Sequence, residues 1–190
     1  TVMFVDIRGF TSISEQLKPR ELSELLSEFR SIVSTEVEDH SGIIDKFIGD
    51  AVMAIFGVPD EHPNNEDHGI KCALSILNKI EVWNEKRTER LQPEIQVTIG
   101  IHCGVVFAGA VGTENRMEFT VLGDTVNIAA RLQEAAKNTK AGLVVSQNVL
   151  DRSDHLSDDN KPWKALKDSA IRGRMGKISL YEFAEGSEIR

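Results

Sequence analysis

The chain has 190 residues, a net charge of −8 and 41% hydrophobic residues, the size and composition of one ordinary globular domain. Its acidic balance, with a pI near 5.2, argues against nucleic acid or anionic lipid as the main partner, since both need a basic face. No apolar run approaches the roughly 20 residues that cross a bilayer, and the opening TVMFVD reads as a strand, so no signal peptide is expected. A cytoplasmic setting is therefore expected, with Cys72 and Cys103, which form no CxxC pair, as reduced core thiols. The abrupt start on a strand leads us to expect a single domain, residues 1–190, excised from a longer protein that carries any sensor or membrane anchor.

In chain order, residues 2–5 are an apolar run that ends at Asp6, a buried strand with a carboxylate at its tip. Ser12 and Glu15 have the spacing of a capping box for a short helix. Pro19 suits a helix start, and Leu22, Leu25, Leu26, Phe29, Ile32, Val33 and Val37 recur at helical spacing until Gly42. Residues 43–48 and 51–56 are β-rich runs flanking Gly49-Asp50, a hairpin signal. After a polar loop from Pro59 to Asn65, Ile70, Ala73, Leu74, Leu77 and Ile80 mark a second amphipathic helix. Strands are predicted over 94–101, 104–111 and 117–122, a helix from Asp124 to about Lys137, and late strands over 142–146 and 178–183, with 151–169 a polar surface excursion. The order β-α-β-β-α-β followed by further αβ elements predicts an α+β fold with a ferredoxin-like core, an antiparallel sheet with helices packed on one face.

Two carboxylates stand out. Asp6 lies where an apolar strand meets the Gly-containing loop IRGFT, and Asp50 lies in a tight hairpin turn. The first strand and the hairpin can be neighbours in such a core, which would aim both at one point. Two aspartates with few other protein ligands suit Mg²⁺, which keeps waters and takes phosphate oxygens. Taken singly, an Asp beside a turn glycine is more often a turn or cap residue. Asn127 and Arg131 stand four apart on one helix face, an amide donor beside a guanidinium fork and suited to a nucleotide, although a solvated polar face has the same spacing. Lys46 is a lone cation in IIDKFIGD, which strand alternation also allows on an outward face. The five histidines have no zinc-like spacing, and neither a P-loop nor a nucleophile elbow is present.

FVDIRGFT, DKFIGDAVMAIFG, GIHCGVVFAGAVG and RMEFTVLGDTVNIAARL, with IRGRMGKISLYEF near the end, resemble in order and spacing the class III adenylyl and guanylyl cyclase catalytic domains, over residues 2 to 183. The bacterial and soluble-type adenylyl cyclases are the most similar variant. The resemblance implies an adenylyl cyclase that makes cyclic AMP and pyrophosphate from ATP with two divalent ions, Mg²⁺ or Mn²⁺, at sites shared across a homodimer. It makes Asp6 and Asp50 the metal-binding aspartates, with the Ile7 carbonyl joining one ion. Gly9, Phe10 and Thr11 become the backbone phosphate loop, Lys46 and Thr120 the base readers, and Asn127 and Arg131 the transition-state pair. Arg172 or Arg174 becomes a basic phosphate contact where the family usually has Lys-Gly-Lys or Lys-Gly-Arg, and Arg116 a further phosphate candidate. A guanylyl cyclase is the nearest alternative, against which Lys46 and Thr120 argue. A catalytically silent nucleotide-sensing dimerisation module is another, disfavoured because every catalytic position is filled.

Overall fold

A computed structural model of the chain describes residues 1–60, 63–114, 116–140, 142–154, 163–166 and 179–184. Strand β1 (Val2–Ile7) is buried along its whole length, as a nearly continuous apolar run at the centre of a sheet must be. Two helices follow, α1 (Phe10–Gln16) and α2 (Pro19–Asp39). The expected capping box does not cap α1: the helix starts at Phe10, ahead of Ser12, and Gly9 serves as its N-cap in the left-handed region at φ 71°. Pro19 does stand at the start of α2, where its missing N–H costs nothing. The Glu21 carboxylate accepts a 2.9 Å hydrogen bond from the Lys18 backbone N–H there.

Strands β2 (Gly42–Ile48) and β3 (Ala51–Phe56) form the expected hairpin, and helix α3 (Asn65–Glu89) runs back to β4 (Val97–His102). Strands β1, β2, β3 and β4 lie in the order β2-β3-β1-β4 with every pairing antiparallel, which is the split βαβ arrangement read from the sequence. The sheet then extends to seven strands through β7 (Leu143–Ser146), β9 (Leu180–Phe183) and β8 (Trp163–Ala165). The β4–β7 pairing is its one parallel junction among the described residues. Strand β8 lies in the segment expected to be a surface excursion. It pairs with β9, and Trp163 packs edge-on against Phe183 with ring centroids 5.3 Å apart.

Helices α2 and α3 cover one face, where Phe29, Val33, Val37, Ile76 and Ile80 pack on the odd-numbered residues Met3, Val5 and Ile7 of β1. The opposite face is not bare. Helix α4 (Asp124–Ala136) lies there, with Ala129 beside Val2 and Phe4, so the expectation of helices on one face holds for the core helices alone. Gly100 of β4 permits the approach: a Cβ there would come within 2.6 Å of the Ala129 carbonyl oxygen and closer still to the Gln133 nitrogen. Strands β5 (Phe107–Thr113) and β6 (Arg116–Leu122) form a separate two-stranded sheet, whose side chains Phe107, Met117, Phe119 and Leu122 are about half exposed, at 49–59%. A short helix, α5 (Gln147–Asp151), follows β7. Cys72 and Cys103 are free and buried, and burial pushes both thiols up, Cys103 to about 12. No helix among the described residues is long and apolar enough to cross a membrane.

Candidate active site

Asp6 is even-numbered on β1 and so faces α4 rather than the α2–α3 core. Its Oδ2 accepts a 2.9 Å hydrogen bond from the Gln133 side-chain amide and lies 3.1 Å from the Lys137 ammonium. The β1–β3 register pairs Val5 with Val52, which brings the Gly49-Asp50 turn alongside the end of β1. Gly49 takes the left-handed conformation the turn needs, at φ 61°, and Arg30 of α2 steadies it by donating to the Gly49 carbonyl at 2.7 Å and stacking over the Phe47 ring. Asp50 consequently sits within hydrogen-bonding reach of Asp6. Its carboxyl is pushed up to about 6, first by burial and then by the hydrogen bond and charge of Asp6, against smaller opposing effects of its own backbone and Lys137.

Two carboxylates pressed together until one resists ionisation form a donor set that a hard divalent cation fits, since the ion removes the repulsion that raises Asp50. Among the described residues no group of three or more His, Cys, Asp or Glu side chains could hold a metal. Such an ion would therefore take its remaining ligands from backbone, water or a bound substrate. Ile7 is the buried last residue of β1 and leads into Arg8. The Arg8 guanidinium ties this corner to the end of α4 through the Ala136 and Thr139 carbonyls, at 3.1 and 2.9 Å. Gly9 follows with open space around it. The Phe10 and Thr11 N–H groups precede the first turn of α1, which closes from Ser12 and Ile13 onto the Gly9 carbonyl, and unclaimed N–H groups at a helix start suit an anion.

A second cluster lies where β2 meets β6. Lys46 Nζ stands 3.1 Å from Glu118 Oε1 and 3.5 Å from Asp45 Oδ2, and the Thr120 hydroxyl donates to Asp45 Oδ2 at 2.9 Å. Burial by itself lowers the Lys46 pKa, but the Glu118 hydrogen bond and the two carboxylate charges outweigh it and raise it. Lys46 and Thr120 come from segments 74 positions apart and meet at one carboxylate.

On α4, Asn127 is exposed and Arg131 half-buried, on the stripe away from Gln133, and neither makes a hydrogen bond or ion pair among the described residues. Arg116 opens β6, exposed and paired across the hairpin with Thr113. Arg172 and Arg174 lie outside the described residues. The structure thus gathers Asp6 with Asp50 and Lys46 with Thr120, and keeps the two pairs apart. Sequence reading missed Asp45, Glu118, Gln133 and Lys137. Gln133 and Lys137 carried a usable signal, being four apart on the predicted helix.

The adenylate and guanylate cyclase catalytic domain matches residues 1–184. Adenylate cyclase 1 of Rhizobium meliloti (strain 1021) is 33% identical over 182 residues, 96% of this chain; the chain spans only 27% of that relative's length. The crystal structure of the adenylyl cyclase CyaB from P. aeruginosa superposes with a TM-score of 0.86 at 27% identity, covering 98% of this chain and 93% of that one. The guanylyl cyclase Cya2 superposes with a TM-score of 0.82 at 25% identity, covering 96% and 89%. With the split βαβ core in place and the catalytic-domain match running over residues 1–184, the chain belongs to the adenylate and guanylate cyclase catalytic-domain family.

Proposed function

We propose that this domain is an adenylyl cyclase, converting ATP to 3′,5′-cyclic AMP and pyrophosphate at sites shared between two copies of the chain. The observation that carries the choice of base is the meeting of Lys46 and Thr120. Adenine presents a bare N1 acceptor and an N6 amino donor, and guanine presents the reverse. An ammonium that can only donate, next to a hydroxyl that can accept, matches adenine.

In the reaction the ribose 3′-oxygen bonds to the α-phosphorus, the bond from that phosphorus to the β-bridging oxygen breaks, and the 3′ proton passes to water or substrate phosphate. Asp6 and Asp50 are the residues that would hold divalent ions, Mg²⁺ or Mn²⁺, which when bound supply activation of the 3′-hydroxyl and neutralisation of the triphosphate. Lys137 and Gln133 keep the Asp6 carboxylate aimed at that point. The N–H groups of Gly9, Phe10 and Thr11 face the phosphates, with Arg116 and Arg172 or Arg174 as basic contacts. The Arg131 fork meets the charge that grows at the phosphorus, and Asn127 orients the ribose end.

Sharing between two chains is what the resemblance to class III cyclases implies, and the spacing of the two clusters accommodates it. Lys46 lies on edge strand β2, and β3 separates it from the Asp6 strand, about two strand spacings or 10 Å away. In this reading one chain's Asp6 and Asp50 serve one nucleotide, while its Lys46, Thr120, Asn127 and Arg131 serve the other. The half-exposed apolar side chains of the β5–β6 hairpin are a surface such a partner would cover. The deciding experiment compares ATP and GTP turnover by the native protein and by Lys46→Glu/Thr120→Cys. Native protein should favour ATP, and the double variant should shift toward GTP by about tenfold or more in the ratio of kcat/KM, because each mismatched buried polar group costs about 1–3 kcal/mol. An unchanged ratio would mean that these residues do not read the base.

A further inference from the structure

The β2–β3 register places Ile44 opposite Ala54 and Lys46 opposite Met53, so Asp45 has no partner across the hairpin and forms a bulge. A bulge inserts one residue and re-aims its neighbours. In a regular strand Asp45 and Lys46 would point to opposite faces, but here both side chains turn to the same side and meet at 3.5 Å. The Asp45 side chain is 1% exposed. Its Oδ2 accepts a 2.9 Å hydrogen bond from the Thr120 hydroxyl, while its Oδ1 is buried without a hydrogen-bond partner among the described residues. A residue kept only to pack the strand would be apolar and would leave no buried oxygen unsatisfied.

A threonine hydroxyl is ambiguous: it owns one proton and two lone pairs, and can offer either to a ligand. A carboxylate removes the ambiguity because it only accepts. With its proton held by Asp45, Thr120 turns lone pairs outward. Those lone pairs accept from an adenine amino group and repel the carbonyl oxygen that guanine carries at the same place. The same carboxylate draws in the Lys46 ammonium, whose far side is held by Glu118 at 3.1 Å. We infer that Asp45 is a positioning residue that fixes the hydrogen-bond polarity of the base pocket, making Thr120 an acceptor beside a donating Lys46 and so selecting adenine over guanine.

The inference rests on the reading of Lys46 and Thr120 as base contacts, and the test separates the two. Steady-state kcat and KM for ATP and GTP are measured for Asp45→Ala, Asp45→Asn, Thr120→Val and Asp45→Ala/Thr120→Val, each checked for folding by circular dichroism. Asp45→Val, a good strand former, is read in the same way should the alanine variant not fold. Asp45→Ala should lower the ATP/GTP preference by about tenfold, the effect of one such hydrogen bond, mostly through a raised KM for ATP and a lowered KM for GTP. Asp45→Asn keeps a carbonyl acceptor and should retain most of the preference. In the Thr120→Val background the Asp45→Ala effect should shrink to about twofold or less, the remainder acting through Lys46, because Asp45 acts mainly through that hydroxyl. If Thr120→Val shifts the preference while folded Asp45→Ala does not, the inference is overturned and the base-contact reading stands. An asparagine variant as unselective as the alanine variant also overturns the acceptor role. If Thr120→Val leaves the preference untouched, the base-contact reading itself falls and takes this inference with it.

Discussion

Asp50 shows at the residue scale how two carboxylates set close together in a partly buried corner work against the fold around them. Asp50→Asn should lower cyclase activity by at least about a hundredfold, the scale of one lost electrostatic stabiliser, because the amide keeps the shape and loses the charge that would hold an ion. The same variant should be more stable than the native protein when both are free of metal. The folded pKa near 6 stands above the ordinary 3.8, so Asp50 withdraws stability as pH rises between those values and costs its full amount above 6. The group is partly exposed, so after discounting for solvent the gain should be about 1 kcal/mol, or 2–4 °C in Tm, at pH 7.5. At pH 4 the gain should disappear. Thermal melts in a chelator at the two pH values check this, and a native protein that melts higher than the variant at pH 7.5 would remove the repulsive pair. Asp6 and Asp50 were legible in the sequence because each closes an apolar strand run at a turn. Asp45 was not, because reading it needs the bulge, and a one-residue insertion in a ladder leaves no trace in the alternation of IIDKFIGD.

Helix α4 carries most of the positioning at the scale of elements, and a single glycine controls how closely it approaches the sheet. Gly100→Ala puts a methyl against the Ala129 carbonyl and the Gln133 backbone, which should destabilise by about 1–3 kcal/mol and lower Tm by several degrees. Gln133 holds Asp6, so turnover measured well below the melting range should fall by more than the folded fraction does. A variant that melts lower yet keeps full turnover would show that the helix does not set the Asp6 geometry. The four-strand core, α2, α3 and α4 were all legible because long amphipathic periods and Gly-Asp or Pro punctuation are strong local signals. Two features were hidden for a physical reason. The Ser12–Glu15 spacing satisfied the capping rule locally, but Gly9 already turns the chain into α1. Strand β8, three residues long, is too short for any period, and its pairing with β9 is decided by tertiary contact through Trp163 and Phe183.

For the whole molecule, the proposal that a chain's Asp6 and Asp50 serve one site and its Lys46, Thr120, Asn127 and Arg131 the other predicts how defective chains behave together. Asp6→Ala and Asn127→Ala should each be inactive alone. Mixed and allowed to exchange subunits, they should recover about a quarter of native activity, since half the dimers are mixed and half of their sites are whole. Cyclic AMP formation followed against protein concentration reads this directly, and no recovery despite verified exchange would mean that each site is built within one chain. The division of labour has a genetic consequence. A chain carrying both lesions spoils both sites of any dimer it enters, because one site lacks its aspartate and the other its asparagine. Expressed in equal amount with the native chain, such an allele would leave only the purely native pairs working, about a quarter of the total, whereas an allele carrying either lesion alone would spare one site in every mixed pair. By the same counting the two lesions together leave about a quarter of native activity whether they fall on one copy of the gene or on different ones, about half of what either lesion alone leaves beside a native copy.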